Sequence, residues 1–164
     1  MVQDDILDHL VNDWQREQPH LDASAMQVVG RILQLGKKLE KRAGNALRDT
    51  GIYYTDLDVL ATLRRSGKPY QLTPTQLYKS VLVTSGAMTA LLDRLEKMNL
   101  IYRSPSPKDG RVKMAALTKE GVRVIDAAIK LRFQEALDAV AVFTSEEKEQ
   151  LSNLLKKMLL HINK

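Results

Sequence analysis

The stretch Thr73-Pro74-Thr75-Gln76-Leu77-Tyr78-Lys79-Ser80-Val81-Leu82-Val83-Thr84-Ser85-Gly86-Ala87-Met88-Thr89-Ala90-Leu91-Leu92-Asp93-Arg94-Leu95 decides the fold. Its first four residues form a capping box. The Thr73 hydroxyl can accept from the Gln76 N–H, the Gln76 side chain can reach back to the Thr73 N–H, and Pro74 brings a preset φ to the first helical position. The helix that starts there holds only Leu77, Tyr78 and Val81 before Val83-Thr84-Ser85-Gly86 breaks it. Met88, Leu92 and Leu95 then restart a helical stripe that runs through Met98. The result is two short helices joined by a tight turn.

Downstream, Ile101, Tyr102 and Arg103 precede the proline-interrupted run Ser104-Pro105-Ser106-Pro107-Lys108-Asp109-Gly110. Val112, Met114 and Ala116 then alternate as a strand does, with Asp109-Gly110 as the reversal signal, so a hairpin is predicted. It is basic, through Arg103, Lys108 and Arg111. Beyond Thr118, Val122, Ile125, Ile129, Phe133, Ala136 and Val140 step by three and four residues along one long helix. Thr144-Ser145-Glu146-Glu147 is a second capping box, and it opens a last helix with Leu151, Leu154, Leu155, Met158 and Ile162 on one face.

Upstream, Thr55 is the expected N-cap of a third helix running to Ser66-Gly67, with Asp56 and Asp58 in its first turn, near the positive end of the helix dipole. Before that, Asp22 caps a long helix carrying Met26, Val29, Leu33, Gly36 and Ala43 on one face, and Asp49-Thr50-Gly51 ends it. Its other face holds Lys37, Lys38, Lys41 and Arg42. A first short helix presents Ile6, Leu10, Val11 and Trp14 and stops at Pro19.

A chain of 164 residues holds one ordinary compact unit with extensions, and 44% hydrophobic with 27% charged residues argues against long disorder. No leader pattern and no membrane-spanning apolar run is apparent, so a cytoplasmic protein without a membrane partner is expected. The absence of cysteine excludes disulfides, thiolate metal sites and cysteine redox sensing. His9, His20 and His161 are scattered and form no helical ligand pair, so neither metal nor cofactor is expected. The net charge of +5 favours polyanionic partners.

Helix, helix, turn, helix, hairpin is the order of a winged helix-turn-helix. The fold class is therefore mainly α with a small β-hairpin wing, and N- and C-terminal helices form a dimerisation region. Their apolar stripes exceed what so small a globular core can cover, which calls for a second copy; packing on each other within one subunit is the alternative. With Met88, Leu92 and Leu95 inward, Ser85, Ala87, Thr89, Ala90, Asp93 and Arg94 turn outward. The small residues at the start of that helix permit close approach to base edges in a major groove.

Val83-Thr84-Ser85-Gly86-Ala87-Met88-Thr89 followed by Leu92-Asp93-Arg94-Leu95-Glu96 resembles the recognition helix of the multiple antibiotic resistance regulator (MarR) family. Asp109-Gly110-Arg111 and Leu117-Thr118-Lys119-Glu120-Gly121 are similar to that family's wing and to the opening of its long helix. The resemblance covers nearly the whole chain. It implies a homodimer on double-stranded DNA, binding a pseudo-palindromic operator as a repressor, with Arg111 in the minor groove and Asp109 positioning it. Many members have a second arginine where Gly110 stands, and Lys108 or Lys113 would compensate through phosphates. The candidate DNA-contacting residues are Thr73, Gln76, Thr84, Ser85, Gly86, Ala87, Thr89, Arg94, Lys108, Asp109, Arg111 and Lys113.

The resemblance also implies release by a small anionic aromatic effector. Trp14, Asp58, Arg64 and Arg65 look similar to the set used by a urate-responsive subgroup, although that subgroup's arginine in the recognition helix is replaced near Leu91 or Leu92. A lone tryptophan on an apolar helix stripe is otherwise a packing anchor, and the two arginines are otherwise phosphate contacts. The recognition helix is also similar to those of the family's organic-peroxide sensors, whose reactive cysteine is missing here. The expected organisation is residues 1–50 as dimerisation helices with an effector crevice, 51–120 as the DNA-binding domain and 121–164 as C-terminal dimerisation helices. The alternative is a winged-helix protein-interaction module without specific DNA binding, distinguished by weak salt dependence. No phosphate-binding glycine loop, nucleophile elbow or zinc-binding His-Glu pair is present, so no catalytic residue is expected.

Overall fold

The structure is a computed structural model that describes residues 4–81, 85–106 and 112–163. The chain divides into two compact units, residues 1–42 and 43–164. Among the described residues, no helix is long and apolar enough to cross a membrane.

The first unit holds α1 (Ile6–Glu17) and most of α2 (Ser24–Ala46). Asp5 caps α1 by accepting from the Leu7 and Asp8 N–H groups at 2.7 and 3.2 Å, and Asp8 accepts in turn from the Asp5 N–H. Arg31 on α2 grips both carboxylates, at 2.8 Å to Asp5 and 2.7 Å to Asp8. Gly30 allows the approach, because a Cβ there would meet the Leu7 side chain at 2.4 Å. Burial follows Leu7 and Val11 rather than the whole predicted stripe: Ile6, Leu10 and Trp14 stand about half exposed, one helical turn apart from each other. Asp22 acts as expected, accepting from the Ser24 N–H at 2.9 Å.

The second unit continues through a 3₁₀ turn at Arg48–Thr50, which Gly51 ends at a φ of 76°. Then follow α3 (Tyr54–Arg65), β1 (Gln71–Leu72), α4 (Pro74–Ser80), α5 (Ser85–Lys97), β2 (Ile101–Pro105), β3 (Lys113–Leu117), α6 (Lys119–Ala139) and α7 (Ser145–Ile162). The sheet is antiparallel in the order β1-β3-β2, with Ile101 opposite Leu117, Pro105 opposite Lys113, and Gln71 opposite Ala116. The hairpin was legible in the sequence; β1 was not, since two residues carry no periodicity and pair only because β3 lies beside them.

Leu57, Leu60 and Leu63 of α3, Leu77 of α4, Leu91, Leu92 and Leu95 of α5, Ile101 of β2 and Ile125 and Ala128 of α6 share one core. The start of α6 is locked into it. Thr118 accepts from the Gly121 N–H at 2.9 Å and donates to the Asn99 carbonyl at 2.7 Å. A Cβ at Gly121 would lie 1.9 Å from the Leu100 carbonyl oxygen, so only glycine fits there.

Two local expectations need correction. The N-cap of α3 is Tyr53, not Thr55, and the Asp56 carboxylate rather than a hydroxyl answers the Tyr53 N–H at 2.7 Å. Asp58 consequently falls just past the first turn. Along α6, the predicted stripe is buried only in its first half: Ile125 is fully covered, while Phe133 is 65% exposed, because the helix outruns the core beneath it.

Candidate nucleic-acid interface

The helix-turn-helix elements form as their caps dictate. Thr73 accepts from the Gln76 N–H at 3.2 Å and Gln76 accepts from the Thr73 N–H at 2.9 Å, with Pro74 at the first position of α4. The polar groups of both residues are thus engaged in capping, although Gln76 stays exposed. Helix α5 begins at Ser85, buries Met88, Leu91, Leu92 and Leu95, and leaves Thr89, Ala90 and Asp93 exposed. It ends at Asn99, where a left-handed φ of 57° lets the Leu100 N–H close on the Leu95 carbonyl at 3.0 Å.

Arg94 is partly exposed and also has partners within the fold. Its guanidinium reaches back to Asp56 at 2.9 Å and lies over the Tyr53 ring, 4.0 Å from the centroid. Asp56 is fully buried, and burial pushes its carboxyl above the ordinary carboxylate value, against the opposing pull of the Tyr53 N–H and Arg94. No sequence signal marks this pair, whose members lie on different helices.

The wing is tied to α5 by charge. Arg103 on β2 donates to Asp93 and lies 3.5 Å from Glu96, so a cation counted as part of a basic hairpin is compensated by two carboxylates. The ladder extends to a bond from the Ser106 N–H to the Val112 carbonyl at 2.7 Å. Lys113 is exposed at the start of β3. Beside Thr89 lies a cavity of about 120 Å³, floored by Met88, Leu92 and Ala115 and rimmed by Arg103 and Lys113. Thr84, Lys108, Asp109 and Arg111 lie outside the described residues. So do the side chains of Ser85 and Ala87, and nothing further is assigned at Gly86.

Of the proposed effector residues, Trp14 is half exposed on α1 and Asp58 is half-buried on α3. Arg64 is bonded to Asp126 of α6 at 2.8 and 3.2 Å and lies over the Tyr70 ring at 4.7 Å. That hydrogen-bonded pairing holds Asp126 below the ordinary carboxylate value. Arg65 donates to the Ser80 carbonyl at 2.5 Å, at the end of α4. Both arginines therefore have partners within the fold. Among the described residues, no cluster of His, Cys, Asp or Glu side chains could hold a metal ion.

A family model described as the MarR family matches residues 52–113, which run from the residues just before α3 to the start of β3. The multiple antibiotic resistance protein MarR of Salmonella typhimurium is 31% identical over 80% of this chain and 90% of its own length. The chain belongs to the MarR family. The HTH-type transcriptional regulator PecS of Dickeya dadantii is 29% identical over 93% of this chain and 92% of that relative. Among solved structures, a mutant MarR from E. coli complexed with operator DNA matches with a TM-score of 0.73 at 27% identity, covering 85% of this chain and 99% of that one. This MarR-family chain is a winged-helix transcriptional regulator, and its relatives are regulators rather than enzymes. The reading as a protein-interaction module is accordingly set aside.

Proposed function

We propose that this chain is a cytoplasmic repressor that binds a pseudo-palindromic operator as a homodimer, with α5 in the major groove and Arg111 in the adjoining minor groove. The observation that carries this is the division of α5: four apolar side chains anchor one face in the core while small exposed residues, Thr89 and Ala90, occupy the other. Ser85, Gly86, Ala87 and Thr84 join them as contacts to the DNA. Thr73, Gln76, Lys108 and Lys113 supply contacts to the DNA backbone, and Asp109 orients Arg111.

The terminal helices support the dimer. Helix α7 buries none of its residues, and Leu154 and Ile162 are each 65% exposed, which supports a second copy of the chain as the cover of this face. The division of labour is residues 1–50 for dimerisation and effector capture, 51–120 for DNA and 121–164 for dimerisation. The effector is a small anionic aromatic compound, for which Trp14, Asp58, Arg64 and Arg65 are the candidate contacts; a ligand anion would compete with Asp126 for Arg64.

The test is selection from random double-stranded DNA at moderate salt, with the retained sequences read out. An inverted repeat with half-sites about one helical turn apart, or a multiple of it, is expected. No enrichment by a folded dimer would overturn the proposal. Arg111→Ala should weaken operator binding and lower the salt slope by about one while the dimer persists.

A further inference from the structure

We infer that the Asp56–Arg94 pair is a positioning device that sets the rotation of the recognition helix, so that Arg94 acts on operator choice without touching DNA. This rests on the DNA-binding reading above. Asp56 belongs to the first turn of α3 and is held there by the Tyr53 N–H, and Tyr53 is also the residue whose ring lies under the Arg94 guanidinium. The pair therefore fastens the last turn of α5 to one rigid point on α3. Arg94 follows Ala90 by four residues, which puts both on the same face of α5 and makes the exposed small residues turn with the arginine.

The other contacts of α5 do not supply this. Met88, Leu91, Leu92 and Leu95 hold the helix through apolar burial, which has no hydrogen-bond directionality. A rotation of about 20° moves groups at the side-chain radius by roughly 2 Å. That displacement would take a hydrogen-bonding group out of the window of about 2.7–3.2 Å at a base edge. A directional ion pair resists it. The neighbouring Arg103–Asp93 tie is also directional, but Asp93 is half exposed to screening salt, whereas Asp56 has no exposure at all.

A role in stability explains the pair less well. A fully buried carboxylate is costly to desolvate, and Oδ1 of Asp56 has no partner among the described residues. Replacing such a pair with apolar groups commonly leaves stability unchanged or improves it, while buried ionic pairs are retained in some proteins for conformational specificity.

The experiment uses the full-length chain and the operator that the wild type selects. The variants are Asp56→Asn, which can still accept from the Tyr53 N–H; Arg94→Met, which keeps the apolar stem; Arg94→Lys; and the double variant Asp56→Leu with Arg94→Met. Circular dichroism and dimer mass identify the folded variants, and affinities for operator and random duplex are measured across salt. The expected result is a loss of about ten-fold in operator affinity for either single variant, with no fall in random-duplex affinity or salt slope. The double variant should lose no more than the worse single one, and Arg94→Lys should recover part of the loss. Unchanged operator affinity in the folded variants would overturn the inference. So would a salt slope lowered by about one in Arg94→Met with Asp56→Asn silent, which would make Arg94 a phosphate contact. A wild type that selects no operator would instead overturn the DNA-binding reading itself.

Discussion

Helices α3 and α7 carry comparable apolar repeats and meet opposite fates. In α3, Leu57, Val59, Leu60 and Leu63 are all buried, because α4, α5, the sheet and α6 surround it. In α7, Leu151, Leu154, Leu155, Leu159 and Ile162 are all exposed, and no residue of the helix is buried. The DNA-reading lobe therefore completes its own core, while the C-terminal helix keeps an apolar face that the lobe does not cover. Amphipathic periodicity reports that a face will be buried; it does not report by what.

The sharpest break of this comparison is in the core. Leu63→Ala should cost about 2–5 kcal/mol of unfolding free energy, measured by urea denaturation, because a large fully buried side chain leaves a cavity. A change on the α7 face should act differently. Leu154→Asp with Leu159→Asp should leave the circular dichroism of the lobe intact, convert the dimer to monomers in sedimentation, and weaken operator binding by about a hundred-fold, since each half-site would then bind alone. Retention of the dimer would place the interface elsewhere.

A cap lies between these extremes. Thr144 accepts from the Glu147 N–H at 3.2 Å and Glu147 from the Thr144 N–H at 2.9 Å, so Thr144→Ala should lower dimer stability by about 1 kcal/mol in denaturation experiments. The smallest effect belongs to the first unit. Hydrogen bonds from Arg31 hold Asp5 and Asp8 below the ordinary value of 3.8. Their contribution is present above that value and is lost as the pH falls through the lowered ones. Trp14, the only tryptophan, should report this as an acid-linked fluorescence change below pH 3.8 that Arg31→Ala abolishes.

Much of the fold was legible before any coordinates. Thr73-Pro74-Thr75-Gln76 and Thr144-Ser145-Glu146-Glu147 start helices where the sequence places them. The candidate interface was legible only as a face: the inward Met88, Leu92 and Leu95 define it, and Thr89 confirms its exposure. The partners of Arg94 were not legible, because its charge and position suit an outward cation equally well. Nothing nearby in the chain announces that Asp56 waits behind it.

The residues by themselves determined where α4 and α7 begin, that β2 and β3 pair as a hairpin, and which family motifs the chain carries, because caps and periodicity act over three or four residues. Tertiary structure alone decided that Gln71 and Leu72 join the sheet, that Gly121 must pass beneath the Leu100 carbonyl, and that Arg64, Arg94 and Arg103 turn to Asp126, Asp56 and Asp93. Those outcomes depend on which surfaces meet after the chain has folded back on itself, and local spacing carries no record of that meeting.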